Sequence, residues 1–164
     1  MTAAGERTAT SSPRASVRIA WVAHRALHRF SRGRIGLARP KAGAKFGMMR
    51  LSTLGRRSGS QRMAIIGYYE DGPNLVTLAM NGWADAEPAW WLNLQTTPEA
   101  RVDLTDGPRD VRARAATGAA RQRLWATFGE YPGWGADIEA LAASRPGETA
   151  VVVLEPRTSA ADAA

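Results

Sequence analysis

The sequence predicts an α+β domain centred on a small barrel-like sheet, with helices inserted among its later strands. Three observations predict it. Short apolar runs of strand length recur between glycine, proline and aspartate turn signals. Helical patterns occur before the first of these runs and after the third, so strands and helices do not alternate as in a parallel sheet. The 164 residues are 45% hydrophobic and include no cysteine, so a single domain can bury a core without disulfide or metal staples.

Taken in order, residues 1–15 are rich in Ala, Thr, Ser and Gly and read as a disordered N-terminus. Residues 16–31 read as an amphipathic helix, with Arg18, Arg25, Arg29 and Arg32 on one face and Ile19, Ala23, Ala26, Leu27 and Phe30 on another. That helix suits either packing on the domain or lying on an anionic lipid surface. With the basic, glycine-rich connector after it, this region runs from 16 to 45, and the core domain from 46 to 156. Strands are expected at 46–54, 62–70 and 74–80. Pro88 can open a helix over "PAWWLNLQTT", because a first turn tolerates proline. "ARVDL" and "RDVRARAA" read as a hairpin, 118–131 as a helix, the stretch after "PGWG" as a shorter one, and "TAVVVLEP" (149–156) as a buried last strand. Residues 157–164 read as a disordered tail.

Charge is distributed unevenly. Residues 1–62 hold 14 Arg and Lys against one acid, Glu6, whereas residues 63–164 hold 8 basic and 14 acidic residues. A basic front on a mildly acidic body suggests an anionic partner. The missing cysteines exclude thiol nucleophiles and Cys-based metal sites. His24 and His28 are spaced i, i+4, but no Glu lies between them and no third ligand is nearby, so metal binding is not expected. Nucleic acid is not expected either, since the aromatic cluster lies outside the basic region. The early apolar stretch "VRIAWVAHRALHRF" is interrupted by arginines, so it reads neither as a secretory signal nor as a bilayer span. A cytoplasmic location is expected, with peripheral contact to the inner face of the membrane through residues 16–31.

Two segments look like parts of a site. "TLGRRSGSQR" (53–62) gathers three arginines on one glycine-containing bend without an acid. Arg56, Arg57, Ser58 and Arg62 offer donors suited to phosphate or carboxylate oxygens, although a solvated hairpin tip would look the same. It is neither a P-loop nor a dinucleotide fingerprint. "AMNGWADAEPAWWLNL" (79–94) places Trp83, Trp90 and Trp91 beside a polar loop. Aromatic walls of this kind suit a flat heterocycle; Trp90 and Leu94, at i, i+4, can face the core, which accounts for one tryptophan and not for the whole cluster. A third segment, "FGEYPGWGAD" (128–137), offers Tyr131 and Trp134 as a lid or as packing.

In this order, "STLGRRSGSQR", "LAMNGWADAEPAWWLNLQTTPEARV", "LWATFGEYPGW" and "VVVLEP" resemble the deazaflavin-dependent nitroreductases, the coenzyme F-420-dependent oxidoreductases of actinobacteria, over roughly residues 46–156. The resemblance implies a split β-barrel related to flavin-nucleotide-binding barrels. It implies reduced 8-hydroxy-5-deazaflavin, with a phosphate and a polyglutamate tail, as the cofactor, with flavin mononucleotide less favoured. It implies that Arg57 and Arg62 hold the phosphate, with Arg56 and Ser58 alongside. Met63, Ala64, Ile65, Leu78, Ala79, Met80, Asn81, Ala89, Trp90, Trp91, Leu92 and Asn93 would line the deazaflavin. Trp83, Tyr131 and Trp134 would shape the substrate side.

The sequence departs from the family where a serine is usual and Met80 stands, where a small residue is usual and Trp83 stands, and in a tyrosine-rich lid thinned by Trp134 and Asp137. The expected activity is hydride transfer from the reduced deazaflavin to a quinone, an activated alkene or a nitroaromatic, with Tyr131 as a candidate proton donor. The alternative, motivated by Met80, is a non-catalytic protein of the same fold that holds a deazaflavin, a flavin or a lipid-like ligand.

Overall fold

The computed structural model describes residues 36–134 and 137–157. The expected N-terminus, amphipathic helix and most of the C-terminal tail lie outside the described residues. Six strands are present: β1 (Gly47–Leu54), β2 (Gln61–Asp71), β3 (Asn74–Leu78), β4 (Glu99–Leu104), β5 (Gly107–Ala115) and β6 (Val151–Pro156). They close into an antiparallel barrel in the order β1-β2-β3-β6-β5-β4, with β4 returning to β1 through the pairing of Arg50 with Asp103. Closure leaves no free sheet edge.

Period-two alternation divides the apolar residues between two clusters. Met49 and Leu51 of β1, Ile66 and Tyr68 of β2, and Val152 and Leu154 of β6 face inward. Helix α1 (Ala89–Thr96) adds Trp90, Trp91 and Leu94 to this cluster, touching β1, β2 and β5. It therefore lies across one end of the barrel. Tyr69, Val76, Val151 and Val153 point outward from the opposite side of the same strands. Helix α2 (Gly118–Thr127) covers them with Leu124 and Trp125, aided by Phe128, Trp134 and the short helix α3 (Ile138–Ala143). The Val151–Leu154 run is buried on both faces for this reason, as a continuous apolar strand should be.

Helix α2 ends earlier than the predicted 131. It tightens at Phe128–Glu130 into a single 3-10 turn, and Gly129 offers little resistance to that change. Arg157 also extends the sheet, since its backbone N–H donates to the Asp110 carbonyl. No helix among the described residues is long and apolar enough to cross a membrane.

Candidate functional site

The basic stretch forms the tip of the β1–β2 hairpin. The Gly55 N–H donates to the Ser60 carbonyl, and the N–H groups of Ser58 and Gly59 both donate to the Gly55 carbonyl. Gly59 has φ +64, a conformation that suits glycine. A side chain at Gly55 would crowd the Ser60 carbonyl at 3.0 Å, so the bend favours glycine there too. The Ser58 hydroxyl accepts from the Ser60 N–H at 3.3 Å and from Arg62 Nη2 at 3.2 Å, so Arg62 folds back over the turn. Arg56 and Arg57 are exposed beside it.

Electrostatically this tip differs from the strand arginines around the barrel. Arg50, Arg101, Arg112, Arg114 and Arg123 each pair with a carboxylate on a neighbouring element. Among the described residues, Arg56, Arg57 and Arg62 form no ion pair.

Asn93 couples the tip to α1. It is 4% exposed. Its Oδ1 accepts from both the backbone N–H and Nη1 of Arg56, at 3.1 and 3.3 Å, and its Nδ2 donates to Thr53 Oγ1 at 3.1 Å. Its amide is thereby committed to shaping the turn. Asn93→Ala should lower stability by ~1–3 kcal/mol, because buried donors and acceptors lose their partners. Urea unfolding measures this, and a loss near zero would mean that water replaces the amide.

The other expected lining residues do not share one surface. On β2, Ala64 packs against the barrel interior, whereas Met63 points outward and is 68% exposed. Ile65 points the same way as Met63 by alternation and is half-buried. Leu78 belongs to the outer cluster and Ala79 to the inner one. Ala89 is exposed and Leu92 half-buried on α1. The three tryptophans of "NGWADAEPAWW" also separate, Trp90 and Trp91 going inward and Trp83 into the outer cluster. All three are buried, so core packing claims more of this segment than one tryptophan.

The outer face of β2 links the tip to the substrate-side candidates. Beyond Met63 and Ile65 lies Gly67, where a Cβ would stand 2.9 Å from the rings of both Phe46 and Trp134. Tyr69 follows, stacked on Tyr131 with ring centroids 5.3 Å apart. Trp134 is 3% and Trp83 7% exposed, so both are packed walls. Tyr131 is half-buried, and burial, with Glu130 and Glu70 nearby, raises its pKa above the ordinary tyrosine value.

Between β3 and α1 the chain makes a compact left-handed turn. Asn81, Gly82 and Trp83 have φ of 46, 65 and 62. Asparagine and glycine tolerate this region, but a bulky tryptophan there is strained. The Trp83 Nε1–H donates to the Trp134 carbonyl at 2.9 Å, and Asn81 Nδ2 to the Ala86 carbonyl at 3.2 Å. Met80 packs, half-buried, against the outer cluster. Arg145 holds the turn from beneath and was not foreseen as a site residue. Its backbone-carbonyl partners lie 59 to 66 residues away, so no local motif signals it. Among the described residues no cluster of His, Asp and Glu could hold a metal ion.

A family model described as F420H(2)-dependent quinone reductase matches residues 21–156. The Mycobacterium tuberculosis protein Rv3178, provisionally named an F420H(2)-dependent quinone reductase, is 31% identical over 70 residues, 43% of this chain and 59% of that protein. The match thus spans less than two thirds of that relative's length. A solved structure described as a domain-swapped dimer has a TM-score of 0.61 at 21% identity, covering 86% of this chain and 99% of its own. An F420-H2 dependent reductase (FDR-A) follows at 0.58 and 21%, covering 66% and 93%. HutZ, a heme storage protein of Vibrio cholerae, shares the fold at 0.51 and 16%, covering 68% and 82%. At these identities the solved structures speak to the fold alone, a split β-barrel. The family match spans most of the sequence, and with the barrel and its basic hairpin in place, the chain belongs to the F420H(2)-dependent quinone reductase family.

Proposed function

We propose that the protein is an oxidoreductase that uses reduced coenzyme F-420 to reduce a quinone, with nitroaromatics and activated alkenes as further acceptors. The observation that supports it most is the hairpin tip, where Arg56, Arg57 and Arg62 gather on one bend without a carboxylate, while the strand arginines Arg50, Arg101, Arg112 and Arg114 are each paired. This donor set fits the phosphate and the polyglutamate carboxylates of the coenzyme. Flavin mononucleotide, with one phosphate and no such tail, would engage fewer of these cations.

When bound, the reduced deazaflavin supplies a hydride from its ring carbon. The chain's own groups do the rest. Arg57 and Arg62 hold the phosphate, and Asn93 keeps Arg56 in register beside them. Met63 and Ile65 offer an apolar strand face to the ring. Trp83 and Trp134 exclude water on the acceptor side. The Tyr131 phenol, protonated at neutral pH like any tyrosine, can donate a hydrogen bond to the acceptor, and its raised pKa favours that role over full proton transfer. Contact with an anionic membrane through residues 16–31 would bring the protein to lipid-soluble quinones.

Fluorescence titration with oxidised coenzyme F-420 and with flavin mononucleotide, followed by steady-state oxidation of reduced coenzyme with a quinone panel, tests this reading. Tighter F-420 binding with quinone-dependent turnover is the expected result. Binding without turnover on any quinone would favour the non-catalytic alternative.

Met80 bears on the acceptor range. A thioether fills space beside a flat ring but gives no strong hydrogen bond. Wild type should therefore be slow on nitroimidazoles, and Met80→Ser should raise single-turnover rates by less than the ~10²–10⁴-fold typical of general acid assistance. A wild type already fast on nitroimidazoles and quinones, with no gain in the mutant, would show that the hydroxyl is irrelevant.

A further inference from the structure

Arg145 is 8% exposed and has no carboxylate within ion-pair distance among the described residues. It follows α3, and its guanidinium spreads across the loop between β3 and α1. Nε donates to the Ala84 carbonyl at 2.9 Å, Nη1 to the Ala79 carbonyl at 3.0 Å and to Thr149 Oγ1 at 2.8 Å, and Nη2 to the Ala86 carbonyl at 3.5 Å. Three carbonyls of one short loop thus converge on one rigid fork, a geometry that lysine cannot reproduce. Burying a cation in this way is a costly means of gaining stability alone. Burial lowers the Arg145 pKa, and Glu87 and Asp85, on or beside the loop it holds, favour its charge. The loop it grips contains the strained left-handed run Asn81–Trp83, which persists only where its surroundings over-determine it.

We infer that Arg145 is a positioning residue that fixes residues 79–86, with the left-handed run Asn81–Trp83 inside them, and thereby sets the affinity for the ring of the deazaflavin. This rests on the reading that the loop borders that ring. Arg145 touches neither cofactor nor acceptor, and acts through the backbone of Ala79, Ala84 and Ala86.

Arg145→Lys keeps the charge but loses the fork. Thr149→Val is milder, removing only the hydroxyl that steadies Nη1. Two measurements are made on each full-length variant. One is the dissociation constant for coenzyme F-420 and for the deazaflavin riboside lacking phosphate and tail. The other is amide hydrogen exchange of residues 79–87, with hairpin residues 53–62 as the control. Arg145→Lys should raise both dissociation constants by the same factor, roughly tenfold or more, with faster exchange confined to 79–87. Thr149→Val should shift both in the same direction by less, and it decides the matter if Arg145→Lys does not fold. Unchanged dissociation constants despite faster exchange would overturn the inference and leave Arg145 a purely structural clamp. A loss confined to the complete coenzyme would also overturn it, because the effect would then lie at the phosphate. If wild type binds neither compound, the deazaflavin reading itself fails and the inference falls with it, a result distinct from wild-type binding that the variants leave intact.

Discussion

Phe128→Ala should reduce the free energy of unfolding by ~3–5 kcal/mol, the range for truncating a buried aromatic residue. Phe128 is fully enclosed in the outer cluster. It meets Tyr69 edge-on at 4.8 Å between centroids, Trp134 at 4.9 Å and Trp125 at 6.4 Å. Such pairs add ~0.5–1.5 kcal/mol each beyond area burial. The gap left by truncation would also be hard to close. One wall is the closed barrel, where Val151 is fixed by pairing with β3 and Val153 by pairing with both β3 and β5. The others are large rings already packed on further partners, such as Trp134 against Phe46. Urea denaturation should show a lower midpoint with an unchanged m-value. A loss below ~1.5 kcal/mol would mean that α2 and the 128–134 segment collapse into the space, and that the cluster is looser than its ring geometry implies.

How much of this was legible in the sequence depends on the range of the interaction. Strand pattern is local, so the runs at 46–54, 62–70 and 74–80 map closely onto β1, β2 and β3. Pro88, expected in the first turn of its helix, stands one residue earlier, in extended conformation as the residue before α1. The basic tip was legible for the same reason, since its arginines, hydroxyls and glycines are contiguous. Facing was less so. A run such as Met63–Ala64–Ile65 reads as one lining segment, yet the pleat sends Ala64 inward and its neighbours outward. Long-range hydrogen bonds left no trace. Asn93 looked like a ring contact because it sits in a recognisable motif, whereas its amide spans about 40 residues of sequence to order the turn at Thr53 and Arg56. Arg145 lies in "AASRPGE", just past the short helix expected after "PGWG", where no motif marks it. Its burial follows only from where the barrel places the 79–86 carbonyls.

Arg57→Ala should weaken binding of coenzyme F-420 by ~1.5–3 kcal/mol, the range for a hydrogen bond to a charged group. That is roughly a 10- to 150-fold rise in the dissociation constant. Arg57 is the cleanest probe of the tip. Arg56 is tied to Asn93 and Arg62 to Ser58, so removing either would also disturb the bend. Arg57 is exposed and, among the described residues, its side chain has no hydrogen bond or ion pair, so stability should change by less than ~0.5 kcal/mol. The loss of affinity should shrink for the deazaflavin riboside, which has no phosphate for the guanidinium to meet. It should also shrink at high ionic strength, because an exposed charge is screened over a Debye length of ~10 Å at 0.1 M and ~3 Å at 1 M. Isothermal titration of wild type and variant with both compounds, at low and high salt, separates the cases. Equal losses for the two compounds would mean that Arg57 does not contact the phosphate. The unpaired charge at the tip would then be ordinary surface charge, and the main support for a polyanionic cofactor at this hairpin would be gone.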